Sequence, residues 1–197
     1  MLYARLKTKL QSFWNEAKGT VTVETVIAIP MLFWGIALTY EFFEIHRYKS
    51  AREKATYTIA DMISRETAAF GITSTYMDNA LVLFNEISND DGTNIIRVSM
   101  IRFFQPDVTQ PGEYRILWSQ VRGEGSFQPY TTPDIVNDDT ILPLMQDGED
   151  LILVESSSIY NATFNVGLGN EDIQTRTFTA LRFAPQLCFE GDCVVDS

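Results

Sequence analysis

A lone carboxylate, Glu24, stands five residues after Gly19 and immediately before an uncharged apolar stretch, residues 25–40. A carboxylate near the centre of a bilayer costs roughly 2.5–3.5 kcal/mol. Glu24 precedes the stretch and so lies toward the cytoplasmic interface, where snorkelling lowers this cost. It is therefore either a functional residue or an interfacial charge that the membrane tolerates. The chemistry that such a residue offers is ion pairing with a cation, so Glu24 is the first candidate functional residue.

Two cysteines form the second candidate, Cys188 and Cys193, with Gly191 between them. In an exported domain, a pair at this spacing predicts a local disulfide. Zinc binding is the alternative for these thiolates. It is disfavoured because the only histidine, His46, lies far from them in the chain.

Other site chemistry finds little support, and we expect neither an enzyme nor a cofactor. The sequence has no Gly-rich phosphate loop, His-Glu metal motif or Gly-x-Ser-x-Gly elbow. Acidic clusters at residues 89–94 and 137–139 lack the alternating ligands and distal Glu of a calcium loop, which favours turns over metal sites. The net charge of −11 argues against nucleic-acid binding.

The apolar stretch after Glu24 predicts a membrane-spanning helix. Residues 25–40 make about 24 Å of helix at ~1.5 Å per residue, and Val21 on one side with Phe42 and Phe43 on the other extend it toward the ~30 Å hydrocarbon core. Residues 1–19 carry +3 and residues 20–197 carry −14. This asymmetry predicts a cytoplasmic N-terminus and an external domain.

Two features inside this stretch bear on its role. A cleavable secretory signal also begins with a basic and then an apolar region, but no small-x-small cleavage site follows residue 40. Pro30 removes one helical hydrogen bond and predicts a kink. That kink is either a bend for packing among similar helices or an ordinary feature of a membrane helix.

The helical pattern continues beyond the membrane. Apolar or small residues recur at steps of three and four, with the charged residues, Arg52 among them, on other faces: Tyr48, Ala51, Ala55, Ile59, Met62 and Ile63. We expect one long helix that ends near residue 69, with Gly71 as its left-handed cap. A single-pass membrane anchor with a helical stalk, which does not assemble with other copies or proteins, would explain the pattern equally well.

The remaining residues predict a small domain folded against this helix. Thr75 and Asp78 suggest the N-cap of a second helix with Met77, Ala80, Leu81 and Phe84 on its apolar face. Strands are expected around residues 96–100, 114–118, 150–160 and 175–183, with Tyr114, Ile116 and Trp118 alternating along the second. The polar interval 123–148 is either a long surface loop or an excursion with a short helix. The predicted fold class is α+β, with a long N-terminal helix packed against a small antiparallel sheet.

The N-terminal region resembles a type IV prepilin signal, and residues 19–56 resemble the TadE-like pseudopilins of tight-adherence (Tad) pili. The residues that carry the resemblance are Val23, Glu24, Ile29, Pro30, Gly35, Tyr40, Glu41 and Phe42, the run 48–56, and more loosely 148–155 and 177–183. The chain departs from the family at Thr25, where an aromatic residue is common, and Thr20 is unlike the Phe or Met frequent at that place in other pilin classes.

The resemblance implies processing and partners. A prepilin peptidase would cut between Gly19 and Thr20, so that residues 1–19 are a leader, 20–45 a transmembrane helix, 46–70 its amphipathic extension and 71–197 an extracytoplasmic domain. Glu24 would then pair with the amine of Thr20, on its own or a neighbouring subunit, during assembly. The implied partners are other pilins or pseudopilins, the pilus assembly platform and the inner membrane.

Two functions follow as hypotheses. The first is a minor pilin or pseudopilin in a pilus used for adhesion, biofilm formation or secretion. The second is a single-pass membrane protein that does not assemble and whose outer domain binds an envelope partner. A mature N-terminus at Met1 would favour the second.

Overall fold

The computed structural model describes residues 18–67, 71–90, 92–105, 107, 111–135, 142–164, 167 and 169–193. The chain divides into two compact units, residues 1–44 with 162–169 and residues 45–161 with 170–197. The architecture is α+β, as predicted, with a long helix followed by a four-stranded antiparallel sheet. The expected domain boundaries at residues 19, 45 and 70 stay predictions.

Helix α1 (Lys18–Ser64) contributes to both units. From residue 52 onward it has a continuous buried stripe at helical spacing, formed by Arg52, Ala55, Thr56, Ile59, Ala60, Ile63 and Ser64. The helix ends at Ser64, earlier than expected, where the Arg65 and Glu66 amides donate to carbonyls three residues back. Gly71 has a φ of +61° but caps no helix. A Cβ there would lie 3.0 Å from the Cys188 carbonyl oxygen, so close packing explains this glycine.

Helix α2 (Ser74–Ser88) has Thr73 as its N-cap, and the Thr73 side chain accepts a hydrogen bond from the Tyr76 amide at 3.1 Å. The predicted cap at Thr75 was therefore wrong, because a threonine two residues earlier takes that place. The predicted apolar face is confirmed, since Met77, Ala80 and Phe84 are buried. Asn89, with a φ of 51°, ends the helix in the left-handed conformation.

The sheet contains β1 (Asn94–Phe104), β2 (Glu113–Gly123), β3 (Asp150–Tyr160) and β4 (Glu171–Ala180) in the order β2-β1-β3-β4, all antiparallel. The central strands β1 and β3 are buried over most of their length. The predicted bounds of β3 are confirmed. Strand β4 begins four residues before the predicted position 175 and ends at Ala180.

A bulge interrupts the pairing of β1 with β2. Met100 pairs with Trp118 and Ile101 pairs with Ile116, so Leu117 is the extra residue. Ile116 consequently packs in the cluster on one face of the sheet and Trp118 in the cluster on the other. The predicted single alternating face for Tyr114, Ile116 and Trp118 was wrong, since a sequence pattern of period two does not reveal a bulge.

The first face of the sheet packs against the stripe of α1 and against α2. The core here joins helical residues such as Ile59 and Phe84 to Val98, Ile152 and Val154 of the sheet. Three hydroxyls interrupt this apolar contact and satisfy one another: the Oγ atoms of Thr56 and Ser156 both lie 2.7 Å from Thr175 Oγ1. This polar contact fixes the helix against β3 and β4.

The second face is covered by the described residues 124–135 and 142–149, which include the short helix α3 (Thr132–Ile135). Of the two alternatives for this interval, the structure has the excursion with a short helix. It also covers a buried ion pair: Arg97 Nε donates to Glu155 at 2.7 Å, and the guanidinium lies over the Tyr130 ring, 3.5 Å from its centroid. The segment therefore completes the core.

Candidate functional site

The apolar part of α1 is the candidate site suggested by the sequence. Within the described residues, α1 is the one helix long and apolar enough to cross a membrane, by length and composition. Its large apolar side chains are exposed, among them Val21, Val23, Val26, Ile27, Met31, Leu32, Phe33 and Trp34. A water-exposed surface of this extent is unusual for a soluble protein, whereas lipid tails cover it readily.

The polar hydroxyls in this stretch are satisfied within the helix. Thr25 Oγ1 donates to the Val21 carbonyl at 2.7 Å, and Thr39 Oγ1 donates to the Gly35 carbonyl at 2.8 Å. Each bond reaches back four residues, which is how threonine hides its hydroxyl in a helix. The two threonines thus add little cost to burial in lipid.

Glu24 is different. It is exposed, and it makes no hydrogen bond or ion pair with any side chain that the structure describes, which on the N-terminal side begins at residue 21. Helical geometry places residue 20 on the same face as residue 24, one turn earlier. A carboxylate on an apolar helix is stabilised in a membrane either by a nearby cation or by reaching the aqueous interface.

The other residues expected in this segment have the following places. Gly19 and Thr20 belong to the backbone of α1, and Pro30 lies inside the helix. The predicted processing and kink stay predictions. Residues 1–17, which hold most of the expected leader, lie outside the described residues.

Gly35 has no neighbouring atom within 4 Å of the position that a Cβ would take. It lies in a shallow apolar groove between Leu32, Ile36 and Thr39. Small residues of this kind let the backbones of membrane helices approach closely. The groove belongs to the same exposed surface as Glu24.

The structure shows a buried polar cluster around Arg52, which the sequence pattern did not predict. Arg52 was predicted on an outer face of the helix, yet only 1% of it is exposed. Its guanidinium carbon lies 3.0 Å from the centroid of the Tyr48 ring, and its Nη2 forms an ion pair with Asp90 in the turn after α2. The Tyr48 hydroxyl lies 3.0 Å from both Asp90 and the Ile159 carbonyl of β3, and can donate to either.

This cluster has a distinct electrostatic character. Burial lowers the pKa of Arg52, and the opposing effects of Tyr48 and Asp90 act against that shift. Burial also raises the pKa of Tyr48 to about 12. Arg52 Nε has no hydrogen-bond partner among the described residues. The arrangement holds α1, the α2 turn and the end of β3 together, and it favours a neutral tyrosine beside a buried cation.

The predicted disulfide between Cys188 and Cys193 is present. Its segment is anchored on both sides: the Ile72 amide donates to the Cys188 carbonyl at 2.8 Å, and the Glu190 amide donates to the Ile72 carbonyl at 2.8 Å. Trp118 Nε1 donates to the Leu187 carbonyl at 2.8 Å. The disulfide thus closes a loop that packs against the start of α2 and against β2.

Metal coordination finds no site in the described part of the chain, where no group of three or more His, Cys, Asp or Glu side chains is placed to hold an ion. In the first acidic cluster, Asp90 is already bound to Arg52 and accepts from the Gly92 amide at 2.9 Å. This is the turn chemistry expected for that cluster. The second cluster, 137–139, lies outside the described residues.

The fold and the candidate site together define a protein with a helix long and apolar enough to span a membrane once, joined to a disulfide-bonded α+β domain. No protein-family model, curated protein or solved structure matches the chain.

Proposed function

We propose that this protein is a minor pilin or pseudopilin of the tight-adherence type that acts in assembly of a pilus at the bacterial inner membrane. Its partners would be a prepilin peptidase, other pilins or pseudopilins, and the assembly platform. The N-terminus would be cytoplasmic and the α+β domain extracytoplasmic.

The observation that carries the proposal is Glu24. It is an exposed carboxylate on an exposed apolar helix, and it has no partner among the side chains described from residue 21 onward. The desolvation cost of such a group favours a cation supplied on assembly. Cleavage after Gly19 would create that cation, as the α-amine of residue 20, on this chain and on every similarly processed subunit.

Charge and packing support the same proposal. The basic residues 1–19 and the acidic remainder favour insertion with the N-terminus inside. The open groove at Gly35 lies on a helix surface that meets either lipid or other helices. A protein built to pack its helix against similar helices uses both features.

Processing is the direct test. Intact-mass measurement of the membrane form, in cells that mature other prepilins, should give a chain that begins at Thr20. Gly19→Val should block maturation, because a side chain at that position obstructs access of the peptidase to the backbone. Gly35→Val is the matched control, since Gly35 has open space around it and should leave cleavage unchanged.

An uncleaved wild-type chain in those cells would contradict the proposal. The protein would then be a non-assembling single-pass membrane protein with an extracytoplasmic domain that binds an envelope partner.

A further inference from the structure

Glu41 lies at the end of the apolar stretch and is completely buried, at 0% exposure, although its neighbours Tyr40 and Phe42 are 49% and 51% exposed. Its Oε1 accepts a hydrogen bond from the backbone amide of Phe164 at 2.5 Å. The Phe164 ring packs edge-on against Tyr40, with 5.7 Å between the ring centroids. Phe164 belongs to the connection between β3 and β4, so part of this connection is seated on the helix.

The composition of this connection differs from that of the rest of the chain. Residues 161–170 contain no charged side chain in a protein of net charge −11. Charge returns at the first residues of β4, Glu171 and Asp172. Antiparallel neighbours need only about two to five residues to connect them. The extra length and the missing charge both require an explanation.

We propose that the β3–β4 connection is a membrane-docking loop that contacts the membrane through its described residues 161–164. Glu41 seats it at the end of the apolar stretch, and Phe164 joins Tyr40, Phe42 and Phe43 in contact with the boundary between lipid headgroups and acyl chains. The proposal rests on the membrane-spanning role of α1 and is independent of pilus assembly.

A lipid surface fits these residues better than a protein partner does. Phe164 and Phe43 remain 46% and 67% exposed, and their surface continues without a charged break into the exposed apolar helix. Aromatic residues favour the interfacial region of a bilayer. An uncharged loop also avoids the repulsion that an acidic surface would meet at anionic headgroups.

The hydrogen bond to Glu41 also favours contact of the loop with lipid. A carboxylate beside the acyl boundary is costly when it faces lipid, and burying it with a backbone donor lowers that cost. The loop therefore shields the Glu41 carboxylate from lipid, and the hydrogen bond from the Phe164 amide to Glu41 holds the loop against the helix. Only an acceptor at position 41 is required for this contact.

Nitroxide accessibility tests the proposal on the full chain in vesicles of phosphatidylcholine and phosphatidylglycerol. The native cysteines are paired, so a label attaches to a single introduced cysteine under non-reducing conditions. Phe164→Cys is the probe. Phe33→Cys, in the apolar stretch and 65% exposed, is the lipid reference, and Phe183→Cys, 68% exposed in the other unit, is the aqueous reference.

The expected result is that labels at positions 164 and 33 collide more with oxygen than with a water-soluble nickel chelate, and that the label at position 183 shows the reverse. Adding Glu41→Ala should return the label at position 164 to water. Glu41→Gln, which keeps an acceptor oxygen, should leave it in lipid.

Three outcomes would overturn the loop proposal. A label at 164 that is open to the nickel chelate, beside a lipid-exposed label at 33, would place the loop in water. A label shielded from both reagents would place a protein surface, such as a second copy, over Phe164. A label at 164 that stays in lipid in the Glu41→Ala variant would show that Glu41 does not hold the loop in place. A label at 33 in water would overturn the membrane assignment itself.

Discussion

At the scale of single residues, Arg52 shows how a charge becomes part of a protein core. Its long side chain crosses the Tyr48 ring before it reaches Asp90, so the methylene stem and the flat guanidinium are both packed. The two members of the ion pair are not equivalent, since Arg52 is 1% exposed at its side chain and Asp90 is 30% exposed. That asymmetry determines which substitution costs more.

We expect Asp90→Asn to destabilise the domain more than Arg52→Met does. The first change leaves a buried cation without its counter-charge, whereas the second leaves a carboxylate that water can reach. Breaking a buried pair costs about 3–5 kcal/mol, and Asp90→Asn should approach that range. Denaturant unfolding of the full chain in detergent measures both. An equal or larger loss for Arg52→Met would contradict this account.

The control for that comparison is Asp61→Asn. Asp61 pairs with Arg65 and Arg182, whose side chains are 57% and 46% exposed. Pairs of this kind contribute only about 0–1 kcal/mol. Asp61→Asn should therefore lower the free energy of unfolding much less than Asp90→Asn does.

Tyr48 gives the domain a dependence on alkaline pH. Burial raises its pKa from 10.0 to about 12 in the folded state. Its contribution to stability is therefore fully present below pH 10 and is lost as the pH rises toward 12, because the unfolded chain ionises first. Burial likewise raises the pKa of Tyr76, with the Glu66 carboxylate adding to the effect.

The measurement is the free energy of unfolding against pH between 10 and 12. Tyr48→Phe should make the decline shallower, and Tyr57→Phe, at a residue that is 62% exposed, should leave it unchanged. A slope that Tyr48→Phe does not alter would show that Tyr48 ionises equally easily in both states.

At the scale of elements, the sequence predicted what periodicity encodes. The apolar face of α2 and the whole of β3 follow from spacing alone, and so does the stripe through Ala55 and Ile59. Arg52 was misplaced because a helical pattern ranks positions by side-chain polarity, whereas the charge of Arg52 is paired with Asp90, which lies 38 positions away. The bulge at Leu117 depends on how β2 pairs with β1, and the cap at Thr73 depends on which of two nearby threonines binds the first turn of α2. The period of the apolar residues does not reveal either.

The candidate site divides in the same way. Glu24 and the cysteine pair stood out because each residue type is unusual where it occurs. Glu41 did not, because its burial depends on Phe164, which lies 123 residues further along the chain. Likewise, the composition of residues 124–135 and 142–149 did not indicate that they cover a face of the sheet.

The disulfide makes a prediction at this scale. A loop closed over so few residues stabilises by about 2 kcal/mol in the chain-entropy estimate. Replacing both Cys188 and Cys193 by Ser should lower the stability of the domain by about that amount and expose the C-terminal segment to protease. Insertion into membranes should be unaffected, because α1 does not depend on the bond.

Limited proteolysis with mass analysis reads out this change, and untreated protein should contain no alkylatable thiol. Free thiols in protein prepared from the envelope without reductant, or an unchanged cleavage pattern in the double variant, would contradict it.

At the scale of the whole molecule, the chain combines an apolar helical surface with an acidic domain. In the part of the chain that the structure describes, a core cluster lies on each face of the sheet, and Glu24 belongs to neither cluster. The apolar part of α1 is exposed and has a single charge between residues 19 and 40. In the proposed function, Glu24 would serve assembly by selecting the register of neighbouring subunits.

Recovery of pilins with the affinity-purified protein, from cells that assemble a pilus, tests this proposal most directly. We compare the wild type with Glu24→Gln, Glu24→Ala and the control Glu53→Gln, whose carboxylate is 55% exposed further along the same helix. The account predicts normal leader cleavage in all variants and a loss of about tenfold or more in recovered pilins for both Glu24 variants, as about 1.4 kcal/mol of lost pairing would give. Wild-type recovery and normal piliation with both Glu24 variants would contradict it.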